Sequence, residues 1–335
     1  MDRNDCCGVE IVRAAADGIV LSQDGEKSPD EPHLKFFIEN TNSPVQPTAY
    51  GPFSVLDVRT EGGVPHFLAS HGKERLLIRA TATAPFIELL SSREAAPLLA
   101  RLNFDAGDLH TNRGRHLLIR KEIRFGPGNS FRLDSGEMPK IVEQTGNGAL
   151  RQFDLPQSTY EEIARANKDD VNWVNWPIPR SQVMVEETIG PAQVVGSRLW
   201  FGKYFYSGEG YWGAGGFGYF DAVTRRFRIL SPPEIRNASV FALRIDGTTA
   251  WLALGQKGEW GDSGEGVVRV DTQTLRVRKY MVPGMGTSFA RYGDRLYVGT
   301  SEGLSMILPN DQTEHFFIDL NRDRTYRLSR SGVFR

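Results

Sequence analysis

Three segments in the last 140 or so residues of the chain repeat one pattern: GSRLWFGK (196–203), GTTAWLALGQ (247–256) and GDRLYVGTSEG (293–303). Each opens on a turn glycine, alternates apolar residues around one aromatic (Trp200, Trp251, Tyr297), and closes on a glycine or polar turn. A short apolar stretch precedes each one: PAQVVG, SVFALRIDG and TSFARYG. After the first two come GYFDAVTRRFRIL (218–230) and GVVRVDTQTLRVRKYMV (266–282), which align Asp221 with Asp271 and Thr224 with Thr274. Alternation, then D-x-x-T, then alternation is a hairpin signal, because Asp and Thr side chains cap the turn backbone. The third copy continues as GLSMILPNDQTEHFFI (303–318), with Pro309, Asn310 and Asp311 at the same turn. Units of about fifty residues, each with four short strands, are the signature of propeller blades.

The segment RLYVGTSEGL (295–304) resembles the blade motif of the two-component-regulator and quinoprotein-like propeller repeats. The resemblance covers one blade well and two more loosely, over about residues 191–318. It implies a propeller and leaves activity open, since propellers serve as sensors, lyases, dehydrogenases and scaffolds. The quinone cofactor of the wider group does not carry over, because the adjacent pair Cys6 and Cys7 lies at the N-terminus and not inside a blade.

The first half repeats more weakly. VPHFLASH (64–71) and RHLLIRKEI (115–123) read as second strands. RLLIRATATAPFIELL and NSFRLDSGEMPKIVEQ read as the outer hairpins after them, and ADGIVLSQDG (16–25) as an earlier copy. Between these copies and Trp200, STYEEIARAN (158–167) has Ser158 with Glu161 three residues on, a capping-box signature for a short helix. The prolines of NWVNWPIPR argue against a strand there. The expected fold is therefore all-β: one closed β-propeller domain over 1–335, of four-stranded blades, about six with seven possible. A short helical insertion falls near 150–190. Closure requires an N-terminal strand in the last blade, for which GVEIVRA (8–14) beside HFFIDL (315–320) is the candidate.

Composition narrows the partners. Glycine makes up 35 of 335 residues, above the usual ~7%, as a turn-rich fold requires. A net charge of −1 offers no basic field to nucleic acid or an anionic membrane. Adjacent cysteines lack zinc or redox spacing. No signal-peptide pattern opens the chain, and no run of eighteen apolar residues occurs. The expectation is a soluble monomer, either cytoplasmic or a mature exported chain without its leader.

The stretch GEGYWGAGGFG (208–218) contains G-x-G-x-x-G twice. A dinucleotide site needs that pattern between a strand and a helix, and here it leads into strand-like alternation. No nucleotide is expected. Its equivalent one blade on is GQKGEWGDSGEG (255–266), and in the last blade GTSEG (299–303). In a propeller these connections share the face around the channel mouth. The candidate ligand-binding residues are Tyr204, Tyr206, Glu209, Tyr211 and Trp212 from one loop. Lys257, Glu259, Trp260, Asp262 and Glu265 come from the next, and Glu302 from the third. Aromatic faces beside carboxylates suit a glycan, a peptide or protein partner, or a small polar molecule.

The competing class is a hydrolase or lyase acting over the channel with carboxylates and with or without a metal; a scaffold binding only proteins is a third. Calcium near Asp262 and Glu265 is a weak option, because DSGEG lacks the alternating oxygens of an EF-hand loop. Of the six histidines, His66 and His71 point to opposite faces of their strand, and His110 and His116 flank a loop on which they could converge. Trp173 and Trp176 read as burying the insertion or as covering one face.

Overall fold

A computed structural model describes residues 53–71, 74–84, 86–90, 92–102, 104, 123–134, 139–170, 173–174, 179–208, 210–258 and 261–320. It adds the strand backbones at 9–15, 18–23, 36–37, 49–51 and 326–331. The contacts divide the chain into two units, Met1–Asp105 with Ser288–Arg335, and Ala106–Thr287. No described helix is long and apolar enough to cross a membrane.

The second unit holds three antiparallel meanders of four strands, each strand beside its successor. The first comprises Ile123–Phe125, Phe131–Asp134, Lys140–Gln144 and Leu150–Phe153. The next comprises Thr188–Val195, Arg198–Tyr204, Phe217–Asp221 and Arg226–Leu230. The last comprises Ser239–Asp246, Thr249–Gly258, Gly261–Asp271 and Val277–Tyr280. Period-two alternation gives the middle sheet two buried faces. Leu199 and Phe201 join Phe125, Phe131, Leu133 and Ile141 of the sheet before it. Trp200, with Phe217, packs with Val240, Leu252, Leu254 and Val268 of the sheet after it. Gly202 permits that approach, since a Cβ there would stand 2.4 Å from the Val240 side chain.

Polar side chains fix the stacking. The Arg225 guanidinium, on a turn residue with φ of 55°, donates to Glu143 of the preceding sheet at 2.8 and 3.0 Å. Gln193 accepts from the Ile245 N–H at 2.8 Å and donates to its carbonyl at 3.2 Å. Both D-x-x-T turns form as expected: Asp221 Oδ1 accepts from Val223 and Thr224 N–H, and Asp271 Oδ1 from Gln273 and Thr274 N–H.

In the first unit, Ser54–Glu61, Val64–His71, Glu74–Ala80 and Ile87–Leu89 form another such meander. The strands Arg295–Thr300, Gly303–Ile307, Thr313–Leu320 and Tyr326–Ser331 lie in order in a six-stranded sheet. One core joins the two: Phe53, Val55, Phe67 and Ile78 with Tyr297, Leu304, Met306 and Phe316. Ser54 Oγ donates to the Ser301 carbonyl at 2.6 Å, and Tyr297 Oη to that of Phe86 at 2.9 Å. Val9–Ala15, Gly18–Gln23 and Phe36–Phe37 form a three-stranded sheet.

Three expectations are corrected. The strand Val9–Ala15 pairs with Gly18–Gln23, and the N-terminal segment beside Thr313–Leu320 is Ala49–Gly51, with Ile318 opposite Gly51. A bare apolar pattern does not say which N-terminal strand takes that edge. Phe131–Asp134 and Lys140–Gln144 are the second and third strands of their sheet and not the outer pair, because Ile123–Phe125 precedes them and Leu150–Phe153 comes after. The helix Tyr160–Ala166 is capped by Thr159, whose Oγ1 accepts from the Glu162 N–H while the Glu162 carboxylate accepts from the Thr159 N–H. The box is one residue later than expected, because Ser158 is engaged elsewhere. The expected second strand at 115–123 lies largely outside the described residues, as do Cys6, Cys7, His110 and His116.

Candidate functional site

The connection from Tyr204 to Phe217 starts from a buried ion pair. Leu199, Phe201 and Lys203 share one face of their strand, so the lysine enters the core with its apolar neighbours. Lys203 is 3% exposed and Glu187 0%, with Nζ and Oε2 2.6 Å apart. Lys203 Nζ also donates to Ser158 Oγ at 2.7 Å, and Glu187 accepts from the Ser158 N–H at 2.9 Å and the Ala214 N–H at 2.7 Å. Gln157 bonds both backbone groups of Glu187. One carboxylate thus ties the insertion, the strand and the glycine-rich connection together. Burial lowers the Lys203 pKa, against the pull of Glu187.

The glycines allow the connection to press onto its surroundings. A Cβ on Gly215 would lie 2.0 Å from the Ile235 carbonyl oxygen, and one on Gly213 would lie 2.3 Å from the Phe205 ring. The next element, Phe217–Asp221, is a strand and not a helix. A pyrophosphate-binding helix N-terminus is therefore not formed here.

The backbones of the two connections touch at one point. The Ser207 N–H donates to the Lys257 carbonyl at 2.9 Å, and Ser207 and Gly258 form a parallel bridge. Lys257 Nζ stands 5.3 Å from the centroid of the Tyr204 ring. Burial raises the Tyr204 phenol above its ordinary value, and the nearby Asp262 carboxylate adds to this. The second connection is a ribbon rather than a loop: Gln256 faces Ser263 and Lys257 faces Asp262 across the extended hairpin. Gln256 Nε2 donates to Glu265 Oε1 at 2.8 Å. Tyr206 and Tyr211 meet edge to face, their centroids 6.4 Å apart, and both are half-buried.

Trp212 turns away from this group. It is 5% exposed and packs with Trp173, Ile163 and Ala214, its ring at right angles to Trp173 with centroids 5.1 Å apart. Glu209, Glu259 and Trp260 lie outside the described residues. Glu302, in the other unit, is exposed on a turn where its N–H donates to Thr300 Oγ1 at 3.2 Å. Among the described residues no cluster of three or more His, Cys, Asp or Glu has the arrangement to hold a metal ion. The pairing of Lys203 with Glu187 is not among the sequence-based expectations. A lysine on the core-facing side of an apolar alternation was the available signal.

No family model matches this chain. No curated protein matches it either. Among solved structures, the chain is similar to the extracellular domain of a protein described as a one-component system from B. thetaiotaomicron, at 10% identity and a TM-score of 0.34. The match covers 87% of this chain, which spans 30% of that one. It is also similar to the AfRom2 CNH domain, at 11% identity and TM-score 0.34, covering 95% of this chain and 89% of that one. BamB from Moraxella catarrhalis gives 12% identity and TM-score 0.27, over 89% and 99%. At these scores the similarities assign neither family nor activity.

Proposed function

We propose that this chain is a ligand- or partner-binding β-propeller of about six blades, a single domain whose site is built by the 203–217 and 255–265 connections. The stacking of consecutive four-stranded meanders in one unit, and the shared core of the Ser54–Leu89 sheet and the sheet holding Thr313–Leu320 in the other, support the propeller. The junction of the two connections at Ser207 and Lys257 carries the binding reading. Tyr204, Tyr206 and Tyr211 supply aromatic surface, and Lys257, Asp262 and Glu265 supply charge and hydrogen bonds. Glu209, Glu259 and Trp260 belong to the same two segments in sequence, and Trp212 supports one from within. Rings beside a cation and carboxylates fit a carbohydrate, a peptide or a small polar molecule.

The test is a saturation-transfer NMR screen of neutral and acidic glycans and short peptides. Hits should lose about tenfold in affinity, or about 1.4 kcal/mol, in the Tyr206→Ala, Tyr211→Ala double variant. Lys257→Ala should weaken them similarly. A hit that binds both variants as it binds the parent protein places the site elsewhere.

A further inference from the structure

In the other unit, the helix Ser92–Leu102 lies over one face of the Ser54–Leu89 sheet and leaves a cleft of about 410 Å³. That volume lies within the usual range of small-molecule sites, ~300–1,000 Å³. Glu94, Leu98 and Arg101 line it from the helix at three- and four-residue spacing, one helical face. Opposite them stand Glu61, His66 and Arg79 from the sheet. His66 faces Arg79 across neighbouring strands, and Arg79 faces Glu88.

The polar groups are fixed and only partly used. Arg101 Nε donates to Glu61 Oε1 at 2.9 Å and Nη2 to Oε2 at 3.4 Å; Arg79 Nη2 donates to Glu88 Oε2. A guanidinium has five N–H donors, so each arginine keeps several beyond these bonds. The Arg79 and Arg101 side chains are 39% and 59% exposed, within reach of a ligand. His66 is 3% exposed, and its Nδ1 lies 3.0 Å from the Val64 carbonyl oxygen. A carbonyl only accepts, so Nδ1 carries the proton and Nε2 of the neutral ring is an acceptor. Burial lowers the His66 pKa from its ordinary 6.5, which favours the neutral ring.

We propose that this cleft binds a small organic monoanion carrying both a carboxylate and a hydroxyl group. The carboxylate takes the remaining guanidinium donors of Arg79 and Arg101, the geometry at which arginine excels. A hydroxyl of the ligand donates to His66 Nε2. Each arginine already shares its charge with a carboxylate of the protein, Arg79 with Glu88 and Arg101 with Glu61. The cleft thus has little positive charge left for a second negative charge on the ligand, and a monoanion is selected over a phosphate dianion. The proposal is independent of the function assigned to the 203–217 and 255–265 connections.

The probe is D-glucuronate, titrated against the full chain by NMR at a pH above the second ionisation of phosphate, with methyl glucoside and inorganic phosphate as comparison ligands. Saturable binding of glucuronate, at least tenfold tighter than either comparison ligand, is expected. Arg101→Gln, on an exposed side chain near the helix end, should weaken it at least tenfold with the thermal midpoint of the protein kept. His66→Gln should weaken it less. Arg59→Gln, opposite His66 on the neighbouring strand but outside the cleft lining, should leave it unchanged. No glucuronate binding, equal binding of phosphate, or full affinity in a folded Arg101→Gln variant would overturn the proposal.

Discussion

Lys203 sits where the alternation of its strand calls for an apolar side chain, and a lysine in the core must bring its partner with it. Removing one member of a buried pair strands the other without water, which costs ~3–5 kcal/mol. Lys203→Met should therefore destabilise the protein by about that amount in urea unfolding. Adding Glu187→Met should restore part of the loss. A single variant as stable as the parent would show that the pair holds nothing together.

His315 carries a second residue-scale consequence. It is 1% exposed, its Nδ1 lies 2.8 Å from Ser305 Oγ, and burial pushes its pKa down to about 4 from 6.5. The unfolded chain thus takes up a proton on this ring at a pH where the folded protein does not. Stability is unaffected above pH ~6.5 and falls as pH drops from there toward 4, by about 3 kcal/mol in all. His315→Gln should flatten that part of the curve relative to the parent, as read by chemical denaturation across pH. His315 was legible in sequence as one of six histidines, and its burial was not, because only the pairing of its strand with Gly303–Ile307 places it inside.

The elements show where sequence signals suffice and where they do not. The D-x-x-T turns were legible to the residue, since a short side chain bonding its own turn is a local property. The helix Tyr160–Ala166 was legible to within one residue; Ser158 and Thr159 are both capable caps, and only the buried Lys203–Glu187 pair decides that Ser158 is taken. Thr159→Ala should cost about 1 kcal/mol by thermal or urea unfolding. The helix Ser92–Leu102 is not among the sequence-based expectations, and it carries Pro97 inside it, a residue that disfavours a helix interior. The strand Phe217–Asp221 sets the glycine-rich connection apart from nucleotide loops, and its alternation was legible. Trp212 turns inward for a reason no local pattern gives: the Trp173 it packs on is about 40 residues away in the chain. Gly215→Ala places a methyl against two backbone carbonyls and should lower stability by at least ~1–3 kcal/mol. A Gly215→Ala protein with unchanged stability and unchanged 203–217 amide shifts would contradict this packing.

At the scale of the molecule, the succession of four-stranded antiparallel sheets was the most legible property, because a sheet with two apolar faces must bury both against its neighbours. The stacked cores on either side of the Thr188–Leu230 sheet agree with it, and Phe201→Ala, which empties one of them, should cost about 3–5 kcal/mol. Strand edges were less legible: the partner of Thr313–Leu320 depends on chain geometry over more than 250 residues. The direct test of a shared binding site is an amide chemical-shift map of the protein with the tightest ligand from the glycan and peptide screen. Perturbations in both 204–211 and 256–265, lost together in the Lys257→Ala variant, are the expected result. Perturbations confined to one connection, or centred outside both, would contradict it.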